Sequence, residues 1–155
     1  MTLVVNDKAP DFTLPSELEN NTITLSQFLG RKVVLFFYPK DNTPVCTTEA
    51  CNFRDKAEMF QKLGVILLGI SRDTAKSHRK FKEKYALPFS LLVDENGDVS
   101  EAYGVINKKS FFGRTFLGVE RSTFLIDESG NIEAIWRKVK VNQHVEQVLN
   151  AINQK

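Results

Sequence analysis

The sequence contains two short apolar runs, Arg31-Lys32-Val33-Val34-Leu35-Phe36-Phe37-Tyr38 and Val65-Ile66-Leu67-Leu68-Gly69-Ile70, separated by one helical segment. Both runs are rich in β-branched, aromatic or aliphatic residues on both faces, which is typical of fully buried strands. The segment between them, Pro44 to Leu63, carries apolar residues at helical spacings of three and four, and Gly64 follows it as a helix stop. Strand, helix and strand with short connections form a βαβ unit, which predicts a parallel pair of strands in a covered sheet.

The rest of the chain extends this pattern. A second helix is expected from Asp73 or Thr74 to about Tyr85, and a third strand from Phe89 to Asp94. Further on, the sequence predicts a β-hairpin formed by 122–127 and 132–138, and an amphipathic helix over 142–152. This order predicts an α/β protein with a thioredoxin-like fold, a central mixed sheet flanked by helices. A flavodoxin-like fold fits less well, because the late hairpin breaks the alternation of strands and helices.

Length and composition limit the possible functions. With 155 residues, 42% hydrophobic and 26% charged, the chain is large enough for one domain, expected over residues 1–155, and is not a disordered sequence. A net charge of +2 argues against nucleic-acid binding. The apolar runs are far shorter than the ~18 residues of a membrane span. No export signal is visible at the start, so we expect a cytoplasmic protein without a membrane partner.

The two cysteines, Cys46 and Cys51, are not needed to stabilise a domain of this size. Thr43 is a good N-cap and Pro44 suits the first helical position, so Cys46 should lie in the first turn of the first helix. There it faces free backbone N–H groups and the positive end of the helix dipole, which favours a thiolate. The alternative is that Cys46 is a small buried apolar residue, as many free cysteines are.

A helix terminus alone does not ionise a thiol at neutral pH. Lowering a thiol pKa from ~8.5 to ~6 takes roughly 3.4 kcal/mol, whereas a helix end supplies ~2 kcal/mol at best. A cation is therefore expected near Cys46, with Arg54, Arg121 and Lys40 as candidates. Glu49, one turn further along, would repel a thiolate unless the same cation holds its charge.

The spacing of the two cysteines has a geometric consequence. Five positions along an α-helix separate two Cα atoms by ~8.6 Å, whereas a disulfide needs less than about 7 Å. If Cys46 and Cys51 pair, the first turns of the helix must unwind. The spacing also differs from the two-residue gap of thioredoxin-type motifs. A metal site is not expected, because His78 and His144 are single residues on predicted helices and two thiols make a poor zinc site.

The pattern Pro39-x-x-x-Thr43-x-x-Cys46 resembles the active-site signature of the peroxiredoxins, the thiol-dependent peroxidases of the thioredoxin-like superfamily. Cys51, five residues further on, makes the chain similar to the bacterioferritin comigratory protein, or Q-type, subgroup. The resemblance covers nearly the whole chain. Residues 8–14 resemble the opening hairpin of the family, and residues 118–127 resemble the segment that carries its catalytic arginine, here Arg121.

The resemblance implies roles for six residues. Cys46 is implied as the peroxidatic cysteine and Cys51 as the resolving cysteine. Thr43 is implied to bind the peroxide and the sulfur, and Pro39 to shield the sulfenate from water. Arg121 is implied to hold the thiolate and polarise the peroxide, and Glu49 to position this arginine. The chain departs from the subgroup at Val45, where glycine is usual, and this bulk bears on substrate size and on unwinding.

The implied reaction reduces hydrogen peroxide and organic hydroperoxides through a sulfenic acid on Cys46 and a disulfide with Cys51. A thioredoxin or glutaredoxin then reduces the disulfide, and no cofactor or metal is required. A monomer suffices, because both cysteines lie in one chain. Two alternatives remain open: a protein disulfide oxidoreductase, and a redox-sensing binding module that uses the disulfide to unwind the helix.

One further segment, residues 107–116, interleaves basic and aromatic residues, which can suit single-stranded nucleic acid. We expect instead a loop that packs its aromatic rings near the site and keeps its charges in solvent.

Overall fold

The computed structural model describes residues 2–153. In chain order these residues form β1 (Thr13–Pro15), β2 (Thr22–Thr24), a 3₁₀ turn (Leu25–Phe28), β3 (Val33–Phe37), α1 (Pro44–Lys62), β4 (Ile66–Ser71), α2 (Ala75–Tyr85), β5 (Ser90–Val93), α3 (Asp98–Ala102), β6 (Ile106–Phe111), β7 (Arg114–Val119), β8 (Ser122–Ile126), β9 (Ile132–Trp136) and α4 (His144–Asn153). The central sheet has five strands in the order β5-β4-β3-β8-β9. Strands β3, β4 and β5 are parallel, β8 is antiparallel to β3, and β9 is antiparallel to β8. This is the mixed α/β sheet that the sequence predicts.

The βαβ unit is confirmed by the parallel pairing of β3 with β4. All five residues of β3 are buried, as expected for a central strand. Phe36 pairs with Gly69, and a Cβ added to Gly69 would lie only 2.8 Å from Cζ of Phe36. The Phe36 ring therefore occupies the space above the glycine, and it also stacks on Phe53 of α1 with ring centroids 4.6 Å apart. This packing fixes α1 across the sheet, with its first turn at the carboxyl end of β3.

The alternating side chains of β3 contribute to two cores, one on each face of the sheet. Val34 and Phe36 face the core that also contains apolar side chains of α1, α2 and α4. Val33, Leu35 and Phe37 face the second core, which is closed by the hairpin of β1 and β2 and by residues that follow α3. The sheet is thus covered on both sides, which is the arrangement that a continuous apolar strand requires.

The later predicted elements are also present. Helix α2 is capped by Thr74, whose Oγ1 accepts a hydrogen bond from the backbone N–H of Ser77. Strands β8 and β9 form the predicted antiparallel hairpin, and α4 is the predicted last amphipathic helix. None of the helices within residues 2–153 is long and apolar enough to cross a membrane.

The prediction of a loop over residues 107–116 was wrong. These residues lie in an antiparallel hairpin of β6 and β7, which pairs Phe111 with Arg114. Phe112 and Gly113 both have positive φ angles, 51° and 76°, which is the geometry of a type I′ turn that matches the twist of two strands. The aromatic rings do not pack inward: Phe111 is 64% exposed and Phe112 is 91% exposed.

The opening segment also differs from expectation. The first hairpin consists of β1 and β2, with Leu14 opposite Ile23, so residues 8–14 supply only the start of its first strand. Earlier in this segment, Lys8 forms an isolated bridge with Asn131 instead. The side chains of Ala9 and Phe12 are buried in the second core, which accounts for the apolar residues of the segment.

Candidate active site

The site begins where β3 ends. Tyr38 directly follows the strand and is buried, Pro39 is half-buried, and Lys40 is exposed. Thr43 has the extended backbone of an N-cap residue and Pro44 is the first residue of α1, as predicted. The Thr43 hydroxyl, however, donates a hydrogen bond of 2.8 Å to the Lys40 carbonyl instead of accepting one from a helix N–H. The turn that precedes the helix therefore holds the hydroxyl, and this hydrogen bond sets the direction of the lone pairs on the Thr43 oxygen.

Cys46 lies in the first turn of α1 and is only 3% exposed. Its nearest charged partner is Arg121, whose Nη2 lies 3.3 Å from Sγ of Cys46. Arg121 reaches this position because β8 pairs antiparallel with β3 and matches Ser122 with Phe37. The residue before Ser122 therefore lies beside the end of β3, where α1 begins. Of the three candidate cations, Arg121 is the one that contacts the thiol.

The other two candidates lie elsewhere. Arg54 donates through Nη1 to the carbonyl of Tyr85 and pairs through Nη2 with Asp55. The Lys40 side chain is exposed. At 3.3 Å, the attraction between the guanidinium and a thiolate is about 5 kcal/mol at an effective dielectric constant of ~20, before desolvation is counted. Of the three candidate cations, Arg121 is therefore the one placed to stabilise negative charge on the Cys46 sulfur.

Glu49 shares the same guanidinium. Nη1 of Arg121 lies 2.7 Å from Oε1 of Glu49, and the carboxyl group is fully buried. Among the described residues, Oε2 of Glu49 has no hydrogen-bond partner. Burial raises the pKa of Glu49 to about 7, although the charge and hydrogen bond of Arg121 act in the opposite direction. One cation therefore lies between the thiol and a carboxyl group, and it offsets the repulsion expected between Glu49 and a Cys46 thiolate.

Arg121 itself remains a cation in this setting. Burial alone would lower its pKa, but the charges of Glu49 and Cys46 and its hydrogen bonds with both raise the pKa above its ordinary value. The guanidinium therefore presents fixed N–H donors at the sulfur. Donors held in this way stabilise negative charge that develops on a reacting oxygen, as in an oxyanion hole.

Cys51 lies further along α1 and is half-buried. Both cysteines are free thiols, and both belong to the same continuous helix, which runs from Pro44 to Lys62. The structure thus holds the two thiols apart, and the predicted unwinding remains the route by which they would meet. Val45 is 54% exposed, so its bulk lies on the outer surface of the first turn and not between Cys46 and Arg121.

The comparisons with known proteins assign the family. Residues 5–135 match the model of the AhpC/TSA family. The chain belongs to the AhpC/TSA family. It is 48% identical to peroxiredoxin Bcp of Bacillus subtilis, over 98% of this chain and 96% of that protein.

Two solved structures are also similar to this peroxiredoxin. The bacterioferritin comigratory protein of Xanthomonas campestris, studied for its alkyl peroxide reduction activity, has a TM-score of 0.87 and 39% identity, covering 92% of this chain and 90% of that one. A PrxQ mutant of Xylella fastidiosa has a TM-score of 0.92 and 35% identity, covering 99% of this chain and 97% of that one. These similarities confirm the thioredoxin-like fold, the Bcp or Q-type subgroup and the thiol-peroxidase activity that the resemblance predicts.

Sequence reasoning missed one part of this peroxiredoxin. Asp41, Asp73 and His78 place one ligand atom each within 4.8 Å of one another, the geometry of a possible metal site among residues 2–153. Oδ2 of Asp41 is only 2.7 Å from Nδ1 of His78, and Oδ2 of Asp73 accepts hydrogen bonds from the Asp41 backbone N–H and the Ser71 hydroxyl. The group is thus a closed hydrogen-bond network. The available signal was that Asp41 and Asp73 follow the carboxyl ends of two neighbouring parallel strands, where polar side chains converge.

Proposed function

We propose that Cys46 is the peroxidatic cysteine of this peroxiredoxin and that Arg121 is the cation that makes it reactive. The observation that carries this proposal is the bridge made by one guanidinium, with Nη2 at 3.3 Å from the Cys46 sulfur and Nη1 at 2.7 Å from Glu49. Glu49 then acts as a positioning residue, because its carboxyl group fixes the plane of the guanidinium. An arginine held at two points cannot rotate away from the sulfur without breaking a buried, charge-assisted hydrogen bond.

The proposed first step is attack of the Cys46 thiolate on the terminal oxygen of a hydroperoxide. A sulfur–oxygen bond forms, the oxygen–oxygen bond breaks, and the leaving oxygen takes a proton to become water or an alcohol. Cys46 is thereby oxidised by two electrons to a sulfenic acid, while the peroxide is reduced. Arg121 stabilises the charge on the leaving oxygen, and the Thr43 oxygen, whose own proton is donated to the Lys40 carbonyl, accepts the O–H of the peroxide and orients it. The half-buried Pro39 limits access of water to the sulfenate.

The proposed second step joins Cys46 to Cys51. The thiol of Cys51 attacks the sulfenic sulfur, a disulfide forms and water leaves. This requires α1 to unwind from its first turn, because an intact helix keeps the two Cα atoms ~8.6 Å apart. A dithiol protein, thioredoxin or glutaredoxin, then reduces the disulfide and restores both thiols. We further propose that the chain acts as a monomeric, single-domain enzyme in the cytoplasm, where reductants of this class keep thiols reduced.

Peroxide consumption coupled to NADPH oxidation through thioredoxin and its reductase tests the proposal. The wild-type protein should turn over hydrogen peroxide and an organic hydroperoxide such as cumene hydroperoxide. Cys46→Ser should lose this activity entirely. Undiminished turnover by Cys46→Ser would overturn the assignment of the peroxidatic cysteine.

Cys51→Ser tests the second step separately. In this variant Cys46 should react with peroxide at the wild-type rate, and its sulfenic acid should persist long enough for capture by dimedone. Intact-mass spectrometry of the wild-type protein after one equivalent of peroxide should show the loss of two hydrogens with no partner attached. A captured sulfenate in the wild-type protein and none in Cys51→Ser would contradict the role of Cys51.

The rate of peroxide consumption, compared with disulfide transfer to client proteins and with redox-dependent partner binding, distinguishes the proposed function from the two alternatives. A disulfide oxidoreductase would pass its disulfide to reduced client proteins faster than it consumes peroxide. A redox-sensing module would react slowly with peroxide and bind a partner in only one redox state. Rapid peroxide turnover supported by thioredoxin or glutaredoxin is the outcome that we expect.

A further inference from the structure

A buried ion pair lies directly behind the turn that carries Thr43. The imidazole of His78 is completely buried on α2, and Asp41, in the turn between β3 and α1, is 5% exposed. Nδ1 of His78 lies 2.7 Å from Oδ2 of Asp41, and Nε2 lies 2.8 Å from the carbonyl oxygen of Leu92. The pair therefore connects three parts of the fold: the site turn, helix α2 and the end of β5.

The partners of each atom determine where the protons lie. A carbonyl oxygen only accepts, so Nε2 of His78 carries a proton. The Asp41 carboxylate accepts hydrogen bonds from the Tyr38 hydroxyl at 2.6 Å and from the Ser77 hydroxyl at 2.8 Å, and a third proton lies between it and Nδ1 of His78. Burial alone would lower the pKa of His78, but the hydrogen bond and charge of Asp41 raise it above the ordinary value. The Asp41 carboxyl group is thus held by three short hydrogen bonds, with the Tyr38 hydroxyl, the Ser77 hydroxyl and the His78 ring.

The backbone of Asp41 is fixed as well as its side chain. Its N–H donates a hydrogen bond of 2.8 Å to Oδ2 of Asp73, which also accepts from the Ser71 hydroxyl at the end of β4. One residue further on, Asn42 has a φ angle of 62°, in the left-handed region that asparagine tolerates. With Asp41 anchored at two points and Asn42 in a tight turn, little freedom remains in the backbone that leads to Thr43.

This anchor reaches the Thr43 hydroxyl through a single carbonyl group. The hydroxyl donates to the carbonyl of Lys40, the residue directly before Asp41. Because its proton is committed to that carbonyl, the lone pairs of the Thr43 oxygen point elsewhere, in a direction set by the 40–43 turn. If the 40–43 turn shifted relative to α2, the lone pairs of the Thr43 oxygen would point in another direction. The Cys46 sulfur would stay in place, because Arg121 holds it separately.

We propose that Asp41 and His78 are positioning residues for the peroxidase reaction: their buried pair fixes the 40–43 turn on α2 and thereby directs the Thr43 hydroxyl at the peroxide. The proposal rests on the role of Thr43 in the proposed function and extends it to residues that never touch substrate. It assigns the pair to peroxide alignment, whereas Arg121 and Glu49 govern the charge of the sulfur.

Two rates measured on the same variants test this assignment. The first is the second-order rate of Cys46 oxidation by hydrogen peroxide in stopped-flow experiments. The second is the rate of Cys46 alkylation by iodoacetamide at the same pH, which needs the thiolate but no aligned peroxide. His78→Gln and Asp41→Asn should each slow oxidation by about tenfold, which corresponds to ~1.4 kcal/mol, and leave alkylation within about twofold of wild type.

A double-mutant cycle tests whether the effect passes through Thr43. Thr43→Val alone should slow oxidation, and adding His78→Gln to Thr43→Val should slow it little further, because the hydroxyl that the pair directs is already gone. Full additivity in this cycle would overturn the proposal. So would an equal fall in oxidation and alkylation, which would indicate general damage to the site, or oxidation within about twofold of wild type in both single variants.

Two further variants keep the test informative. Lys32→Met removes the Lys32–Glu133 ion pair, which is 2.7 Å long and lies at the opposite end of β3, so it should leave both rates unchanged. If His78→Gln does not fold, Ser77→Ala removes one of the three hydrogen bonds to Asp41 at a half-buried position and should slow oxidation in the same direction by a smaller factor. Activity that survives Cys46→Ser would instead overturn the proposed function itself, so the two failures are distinguishable.

Discussion

Replacing Arg121 by methionine removes the cation from the site while keeping most of the volume of its side chain. Each contact that is lost is a hydrogen bond to a charged or ionisable partner, and such bonds contribute about 1.5–3 kcal/mol net. Only the 3.3 Å contact with the Cys46 sulfur acts directly on the reaction. Losing 1.5–3 kcal/mol there should slow oxidation of Cys46 by roughly 10- to 150-fold. Unlike His78→Gln, Arg121→Met should slow iodoacetamide alkylation as well, because it removes the charge that favours the thiolate.

The second contact of Arg121, with Glu49, requires a second variant in the same experiment. Without the guanidinium, Glu49 is a buried carboxyl group with no cation, so it should take up a proton and the variant should be less stable at neutral pH. Adding Glu49→Gln to Arg121→Met removes that problem and should restore stability without restoring the rate. Arg54→Met is the matched control, because the Arg54 guanidinium also pairs with a carboxylate, that of Asp55, but donates to the Tyr85 carbonyl instead of to the thiol. Oxidation of Arg121→Met within about threefold of wild type would refute this account of the site.

The remaining predictions concern the buried carboxyl group, the packing of the sheet and the change of helix α1. Because the pKa of Glu49 is raised to about 7 from an ordinary value of 4.5, the folded protein binds more protons than the unfolded chain between these pH values. The free energy of unfolding of the wild type should therefore fall relative to that of Glu49→Gln as the pH rises through this window. Urea denaturation at several pH values measures both, and a difference that does not change with pH would contradict the prediction. Gly69→Ala should destabilise the fold by about 1–3 kcal/mol, because the new Cβ would lie 2.8 Å from Phe36, and an unchanged urea midpoint would disprove this packing. Hydrogen exchange should show lost protection in the first turns of α1 once Cys46 is oxidised to the disulfide, with α2 protected as before; a fully protected α1 in the disulfide form would exclude unwinding.

The sequence by itself determined what depends on local order along the chain. Proline is well suited to the first helical position, so Pro44 placed Cys46 in the first turn of α1. Thr43 holds the N-cap position as predicted, although its hydroxyl bonds to the Lys40 carbonyl and not to a helix N–H. Buried strands and amphipathic helices follow from the period of their apolar residues, so the βαβ unit and the late hairpin were predictable. The signature around Cys46 then indicated the family. Hairpin β6–β7 was missed because its exposed aromatic residues suggested packing, while the turn at Phe112 and Gly113 depends on two positive φ angles.

Only the tertiary structure decided which distant groups meet. The residues alone left three cations as candidates for the thiol, and the family resemblance pointed to Arg121. The antiparallel register of β8 on β3 is what brings Arg121 to Cys46 across 75 residues of chain. The same register buried Glu49 against that cation and raised its pKa, an effect of lost hydration that no local pattern reports. His78 is a single histidine on its helix with no metal ligand beside it in the sequence, yet parallel pairing of β3 with β4 brings α2 and the site turn together. The physical reason is the same in each case: periodicity and capping act over a few residues, whereas charge pairing and desolvation depend on the register of strands far apart in sequence.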